Sequence, residues 1–600
     1  MRYPQLNELA VSRDMVEAFG GYNHNLRIGN GEFYDMKNLT STHYPVLSPR
    51  ANRGIYTYPE SPQGMISKDT LCYVDGADFV IDGYHVPGFV LSEAEADCPK
   101  TLISMGAYVI IMPDRKWINT ENLTDFGSID AEFTSYGDTK FTLSRLDGSD
   151  YSAQYTQATE PTGDISNMAL WLDTSSVPHT LKQYSASSRM WVNIATTYIR
   201  IESTGIGEKF SQYDGVTISG LKDTTLYNAE TGSPIEGDTA TQLSSIDGSM
   251  TIWERGNDYI VVVGMLATEQ TISNSFTVSR KMPLMDFVVE SGNRLWGCRY
   301  GVANNGEVVN EIYASKLGDF KNWQSFMGLS TDSYVVGVGS DGEFTGAITF
   351  LGHPTFFKEN CMHKMYGEIP SNFGIQTTAC RGVQKGSSKS LAIVNEVLYY
   401  KGRSAVCAYD GSLPAEISTA LGEVVYGDAV AGVCGNKYYI SMMDKEGLWH
   451  MFAYDTSKGM WHKEDNTHAL SFCSSRGELY YIDAEDKAIR TVLGSGTAET
   501  NRTEWMAETG VMGTSMPDKK YISRILMRLY LDLGSTVSFY IQYDSIGDWE
   551  FISTVVGTTL RSFSIPIRPR RCDHFRLRIV GKGEAKIYSI TKTIEQGSDL

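Results

Sequence analysis

Near the C-terminus apolar side chains fall on every second residue. Val537, Phe539 and Ile541 alternate with Ser538, Tyr540 and Gln542, and Phe575, Leu577 and Ile579 alternate with Arg576 and Arg578. Alternate residues of a strand share one face, so this spacing predicts half-buried strands with an apolar side of their own. Upstream the pattern is different: a tight turn followed by an aromatic, β-branched run. It reads Gly106-Ala107-Tyr108-Val109-Ile110, Gly292-Asn293-Arg294-Leu295-Trp296, Asn395-Glu396-Val397-Leu398-Tyr399-Tyr400, Gly435-Asn436-Lys437-Tyr438-Tyr439-Ile440 and Gly477-Glu478-Leu479-Tyr480-Tyr481-Ile482. The last three copies stand about 40 residues apart, the length of one four-stranded propeller blade. A degenerate β-propeller is expected. A 3.6-residue period is visible only from Leu6 to Gly20, where Leu6, Leu9, Val16 and Phe19 could line a helix face, so helix should be scarce.

These textures divide the chain into five parts. Residues 1–54 are dense in turn residues, with Gly20-Gly21-Tyr22 and Pro45-Val46-Leu47-Ser48-Pro49-Arg50, and predict extended chain because proline fixes φ and withholds a donor. Residues 55–119 read as the first propeller strands. From 120 to 280 the aromatic phrase disappears among Thr, Ser, Asp and Gly, and strand-like Tyr198-Ile199-Arg200-Ile201 and Val216-Thr217-Ile218 suggest an inserted β-domain. Blade texture resumes over 281–495, so residues 71–117 and 286–492 are expected to share one propeller. The alternating tail, 505–600, predicts a separate C-terminal β-sandwich, and a chain ending near residue 500 is expected to keep a folded propeller.

Composition fits this all-β reading. Fifty-seven glycines, 35 tyrosines and only 20% charged residues describe a folded chain rich in turns, and 600 residues require two or three large β domains rather than one core. The 52 basic and 71 acidic side chains leave a formal charge of −19, which opposes tight, nonspecific attachment to DNA. Nine scattered cysteines form no C-x-x-C pair and read as free buried thiols of a reducing compartment. The N-terminus shows no apolar run of signal-peptide length, and no segment has the roughly 18 apolar residues of a membrane span, so neither export nor membrane insertion is expected. Three Asn-x-Thr triplets, at Asn38, Asn122 and Asn501, are therefore discounted as glycosylation sites.

Candidate chemistry is sparse. Gly337-Val338-Gly339-Ser340-Asp341-Gly342 follows a strand and matches a G-x-G-x-x-G pattern, but the β-rich run Phe344 to Leu351 follows where a phosphate site needs a helix, so a turn between blades is expected. Gln542-Tyr543-Asp544-Ser545-Ile546-Gly547-Asp548-Trp549 resembles the Asp-box hairpin of sialidase propellers in part, yet differs in its Asp-to-Gly spacing and lacks the leading Ser. Ten histidines, among them His353, His363, His450 and His462, show no metal-ligand spacing and read as packing or surface residues. Arg568, Arg570, Arg571, Arg576 and Arg578 give the tail a positive bias that is either a solvated sheet face or an interface patch. No catalytic, cofactor-binding or metal-ligating residue is assigned, no cofactor is expected, and the chain is expected not to be an enzyme.

Several phrases, in order, resemble the propeller-type tail hub or nozzle proteins of tailed bacteriophages, including the DNA-stabilisation proteins of short-tailed phages. They are Gly31-Glu32-Phe33-Tyr34-Asp35-Met36-Lys37-Asn38-Leu39 with Pro45 to Arg50, Ile312-Tyr313-Ala314-Ser315 running to Trp323, Phe356-Phe357-Lys358-Glu359-Asn360, and Leu398 to Arg403 with Tyr409-Asp410-Gly411. The resemblance implies a virion structural protein, assembled in the host cytoplasm. It forms a ring with copies of itself, commonly six-fold, continues the DNA conduit below the portal and adaptor, and anchors fibres or other tail proteins while DNA passes without tight binding. The large insertion and the sandwich tail depart from that family and leave the position in the tail open. The alternative is a receptor- or glycan-binding tail-tip protein, with the sandwich as reader and aromatic residues such as Trp549 as its platform.

Overall fold

Two-residue turns with positive φ explain the recurring phrase. Gly292 and Asn293 (φ 61° and 57°), Asn395 and Glu396 (47° and 65°) and Arg476 and Gly477 (50° and 80°) each join two antiparallel strands. Paired left-handed residues give a turn whose twist matches that of the strands, which is why Gly and Asn recur just before each aromatic run. The computed structural model describes residues 10–94, 96–303, 306–494, 497–498, 503–517 and 519–597. They are almost entirely β, and Gly237–Ser244 is the one α-helix among them. The helix face expected between Leu6 and Gly20 is not formed: Val11–Val16 is a strand, paired with Ala585–Gln596, and residues 6–9 lie outside the described residues. Four-stranded antiparallel sheets of the propeller-like kind predominate.

The chain forms two compact units, 1–104 with 342–365 and 375–600, and 105–341 with 366–374. The division falls at 104/105 and 341/342 rather than at the texture changes near 120 and 280. Within the second unit the reason is visible in named contacts. Gly215 donates to Asn322 Oδ1 (2.7 Å) and Thr217 to Gln324 Oε1 (2.8 Å), while Phe320 packs on Trp117 and Tyr108. The strands Tyr198–Glu202 and Gly215–Ser219 form where the sequence places them, and Phe141, Ile201, Ile218, Val262, Phe276 and Val278 are buried together between their sheets.

In the first unit, Tyr426–Cys434, Lys437–Asp444, Trp449–Asp455 and Met460–Asp465 make one four-stranded meander. Ala469–Ser475, Glu478–Asp483 and Ile489–Thr491 make another, whose fourth strand, Gly54–Thr57, comes from the start of the chain. The extended N-terminal segment is built into the same body. Gly21–Tyr22 pairs with Met460–Asp465 on one side and with Glu32–Lys37 on the other, and Glu32–Lys37 in turn pairs with Glu504–Thr509.

The tail makes the sandwich that its alternation predicts. Lys520–Tyr543 is a 24-residue strand whose first part pairs with Ala585–Gln596 and whose last part pairs with Phe575–Lys582, so one bent strand serves both layers. Gly534 (φ 77°) sits between the two parts. Val537, Phe539, Ile541, Phe575, Leu577 and Ile579 from one layer and Ile525, Met527, Leu529, Ile587 and Ile594 from the other are all buried. The tail shares its core with the rest of the first unit. Glu504–Thr509 joins the sandwich to the N-terminal strands and the 426–465 meander in one continuous sheet, and Phe33, Met36, Trp461 and Trp505 share one apolar cluster with the sandwich residues.

Candidate functional site

Asn38 organises the place where the N-terminal segment, the 426–465 meander and the tail meet. It holds a left-handed conformation (φ 55°), which Asn tolerates better than most residues. Its N–H donates to the Glu464 carbonyl (2.6 Å), its side-chain amide to the Glu504 carbonyl (2.8 Å), and its side-chain oxygen accepts from Arg50 Nε (2.8 Å). Leu47 and Ile587 exchange backbone hydrogen bonds of 3.1 and 2.9 Å, which pins the Pro45–Arg50 stretch to the sandwich.

Beside this junction lies a cavity of about 820 Å³, with Thr40, Arg50, Lys437, Asp455, Glu464 and Lys586 among the residues on its wall. Its charges are mostly neutralised by neighbours. Arg53, itself buried, bridges Glu464 (2.8 Å) and Asp465 (2.9 Å) and donates to Thr467 Oγ1 (2.7 Å). Asp455 accepts from Ser41 Oγ (2.5 Å), Ser457 Oγ (2.6 Å) and Lys458 Nζ (2.9 Å). Burial opposes ionisation of Asp455, but these three donors outweigh it and hold the carboxyl well below the usual carboxylate range. Lys437 donates to Thr40 Oγ1 (2.5 Å) and Thr42 Oγ1 (3.2 Å), and burial pushes its ammonium down despite Glu464 and Asp455 nearby. The Asp455 carboxyl is thus biased toward its charged form. Hydroxyls, amides and lysines on the wall suit a polar, hydrogen-bonding ligand.

A second cavity of about 480 Å³ in the same unit is lined by Asp35, Lys463, Asp465, His468 and Asp483. Burial raises the Asp483 carboxyl, although Arg490 Nε lies 3.1 Å away. At Asp465 burial acts in the same direction but is outweighed by Arg53 and Arg50, which lower it. The two carboxyls therefore hold their protons with opposite preference.

The residues weighed from sequence take plain positions. Arg576 and Arg578 both pair with Glu508, the latter at 2.7 Å, and Arg570 pairs with Glu550 at 2.8 Å. Trp549 is half-buried rather than an open platform, with the Arg578 guanidinium 4.2 Å from its ring centre. His462 is buried and His363 meets Thr377 Oγ1 (2.9 Å) and Cys361 Sγ (3.6 Å). Strand Tyr334–Gly337 runs through a loop into strand Gly346–Phe350, with no helix opening after the glycines. All nine cysteines are free thiols, six of them buried. Among the described residues no group of three or more His, Cys, Asp or Glu is placed to hold a metal. No helix among them is long and apolar enough to cross a membrane. Sequence reasoning missed both cavities because their walls come from residues some 400 positions apart, and local spacing carries no trace of that.

No family model and no curated protein matches the chain. Solved structures do. An exo-β-1,3-galactanase from Phanerochaete chrysosporium in complex with galactose matches over 51% of this chain and 94% of its own, at 7% identity and a TM-score of 0.21. A bifunctional GH43-CE protein from Bacteroides eggerthii matches over 52% and 62%, at 8% identity and a TM-score of 0.20. A Trypanosoma rangeli sialidase, held as a covalent intermediate with 2,3-difluorosialic acid, matches over 97% and 96%, at 10% identity and a TM-score of 0.21. The expectation that the chain is not an enzyme is corrected on this finding, since the matched folds include glycan-active enzymes, and it is not carried forward. At TM-scores near 0.2 the matches assign no activity to this chain either.

Proposed function

We propose that the chain is a virion protein of a tailed bacteriophage, a tail hub or nozzle subunit. Its copies form a ring, most simply a hexamer, below the portal and adaptor, retain the packaged DNA and anchor other tail parts. One observation carries the reading: the Gly31–Arg50 phrase, on which the resemblance chiefly rests, is also the seam of the first unit. Phe33, Met36, Leu39 and Leu47 are buried there, and Asn38 ties the segment to Glu464 and Glu504. That packing supports the reading by making the phrase part of the core rather than an exposed linker. The charge of −19 per chain suits a conduit along which DNA slides. Electron microscopy of virions labelled on this protein tests the reading. A closed ring on the axis shared by portal and tail is expected, and isolated copies at fibre tips would overturn it.

A glycan-binding role at the tail tip is the second reading, favoured by the 820 Å³ cavity with its hydroxyl- and lysine-lined wall. A glycan array probed with the full chain tests it. Binding that disappears in Lys458→Ala would support it, and a blank array would remove it.

A further inference from the structure

The turn between the two longest strands of the tail brings three side chains into a chain of hydrogen bonds that the conduit reading leaves unused. Ser545 Oγ lies 2.8 Å from His574 Nε2, and His574 Nδ1 lies 2.9 Å from Asp573 Oδ2. With the Nδ1 proton directed at the Asp573 carboxylate, Nε2 is left as the acceptor for the serine hydroxyl, which is the arrangement that activates a serine for acyl transfer. His574 is part-covered, with 22% of its side chain exposed, whereas Ser545 faces solvent.

The turn is fixed on its partner loop from several directions. Asp544 Oδ1 accepts from the backbone N–H of Asp573 (2.7 Å) and of His574 (3.2 Å), and the Asp544 N–H donates to the His574 carbonyl (3.0 Å). Asp544 and Ser545 both sit at positive φ (53° and 52°), in a two-residue turn where Asn-Gly is the relaxed choice. A serine held there against its backbone preference, with its hydroxyl on an imidazole, is placed by the surrounding contacts rather than by the turn itself.

We propose that Ser545, His574 and Asp573 form a hydrolytic site for short acyl esters, a function separate from tail assembly. Ser545 Oγ adds to the ester carbonyl carbon while His574 Nε2 takes the hydroxyl proton. The carbon–oxygen bond to the alcohol then breaks, and the alcohol leaves with that proton. Water attacks the acyl-serine, again giving its proton to Nε2, and the carboxylic acid departs as the proton returns to Ser545. The net reaction is ester plus water to acid plus alcohol. Asp573 acts as a positioning residue that fixes the imidazole through its contact with Nδ1. A short acyl ester is the substrate class that fits, because Ser545 faces solvent, where a small carbonyl can reach its hydroxyl.

The test uses the full chain with an alkyl fluorophosphonate and with p-nitrophenyl acetate. Ser545→Gly is the control variant because glycine relaxes the positive φ and keeps the fold, as a matched melting curve will verify. Expected results are a single phosphonyl adduct on the peptide carrying Ser545 and an ester hydrolysis rate about tenfold or more above Ser545→Gly. His574→Gln should lose both. Asp573→Asn should keep KM and lower kcat, and the conservative Asp573→Glu should recover part of the lost kcat. Equal labelling and equal hydrolysis in the parent chain and Ser545→Gly would overturn the proposal and leave the three residues as a turn lock.

Discussion

Asn38 shows how one residue can carry both the shape and the bonding of a junction. Asn38→Ala removes the tolerance for positive φ and two side-chain hydrogen bonds from a buried site, and should cost about 2–4 kcal/mol in a denaturant titration. Arg53→Met removes the closer of two guanidiniums that bridge Glu464 and Asp465, leaving Arg50 at 3.9 and 3.6 Å, and should cost about 3 kcal/mol. Glu396→Gly works the other way. The glutamate sits at φ 65°, so glycine there should stabilise the protein by about 1 kcal/mol. A pH prediction follows from two buried histidines. Burial, aided by Lys437, pushes His462 down to about 3, and burial with Lys358 pushes His363 down to about 4. Both lie below the ordinary value near 6.5, so the unfolded chain takes up the protons first. Their contribution to stability is complete above about pH 6.5 and is lost as pH falls toward 4 and 3. Urea midpoints measured from pH 7 to 4 should fall, and fall less in His462→Gln. Such residue-level facts were only half legible: the asparagine stood out in the sequence, but the carbonyls it meets, at Glu464 and Glu504, lie more than 400 positions away.

At the scale of strands and sheets, the sequence spoke clearly wherever the periodicity was local. The alternation at Val537–Ile541 and Phe575–Ile579 foretold which side chains are buried, and the turn-then-aromatic phrase foretold the hairpins. It was silent about which sheet edges join, because strand pairing across hundreds of residues leaves no mark on local spacing. It also suggested a helix near Leu6–Gly20, where four apolar residues keep a helical spacing, but pairing with Ala585–Gln596 selects a strand over Val11–Val16. The continuous sheet through Glu504–Thr509 carries a prediction of its own. Deleting residues 503–600 strips the edge of Glu32–Lys37 and uncovers Phe33 and Met36, so cooperative melting of the remaining first unit should be lost. A truncated chain that still melts in one sharp step at the parental temperature would show that the N-terminal strands and blades stand without the tail.

For the molecule as a whole, charge is the property most directly tied to the proposed conduit. A field built from −19 per chain should give weak DNA binding with little dependence on salt, whereas a protein that grips phosphates loses affinity steeply as salt rises. Fluorescence anisotropy with a labelled duplex from 50 to 200 mM salt separates the two. A second consequence lies in the partnership of the two ends of the chain. Val11–Val16 pairs with Ala585–Gln596, Glu32–Lys37 with Glu504–Thr509, and Gly54–Thr57 completes a sheet begun at Ala469. On the ribosome the first strands therefore emerge about half a minute to two minutes before their partners exist. Until then they are open strand edges, so the protein should reach its native state only after release. The same pairings span more than 400 residues and close slowly even in the full chain, so pulse-labelling hydrogen exchange during refolding should find Val11–Val16 and Gly54–Thr57 among the last amides to gain protection.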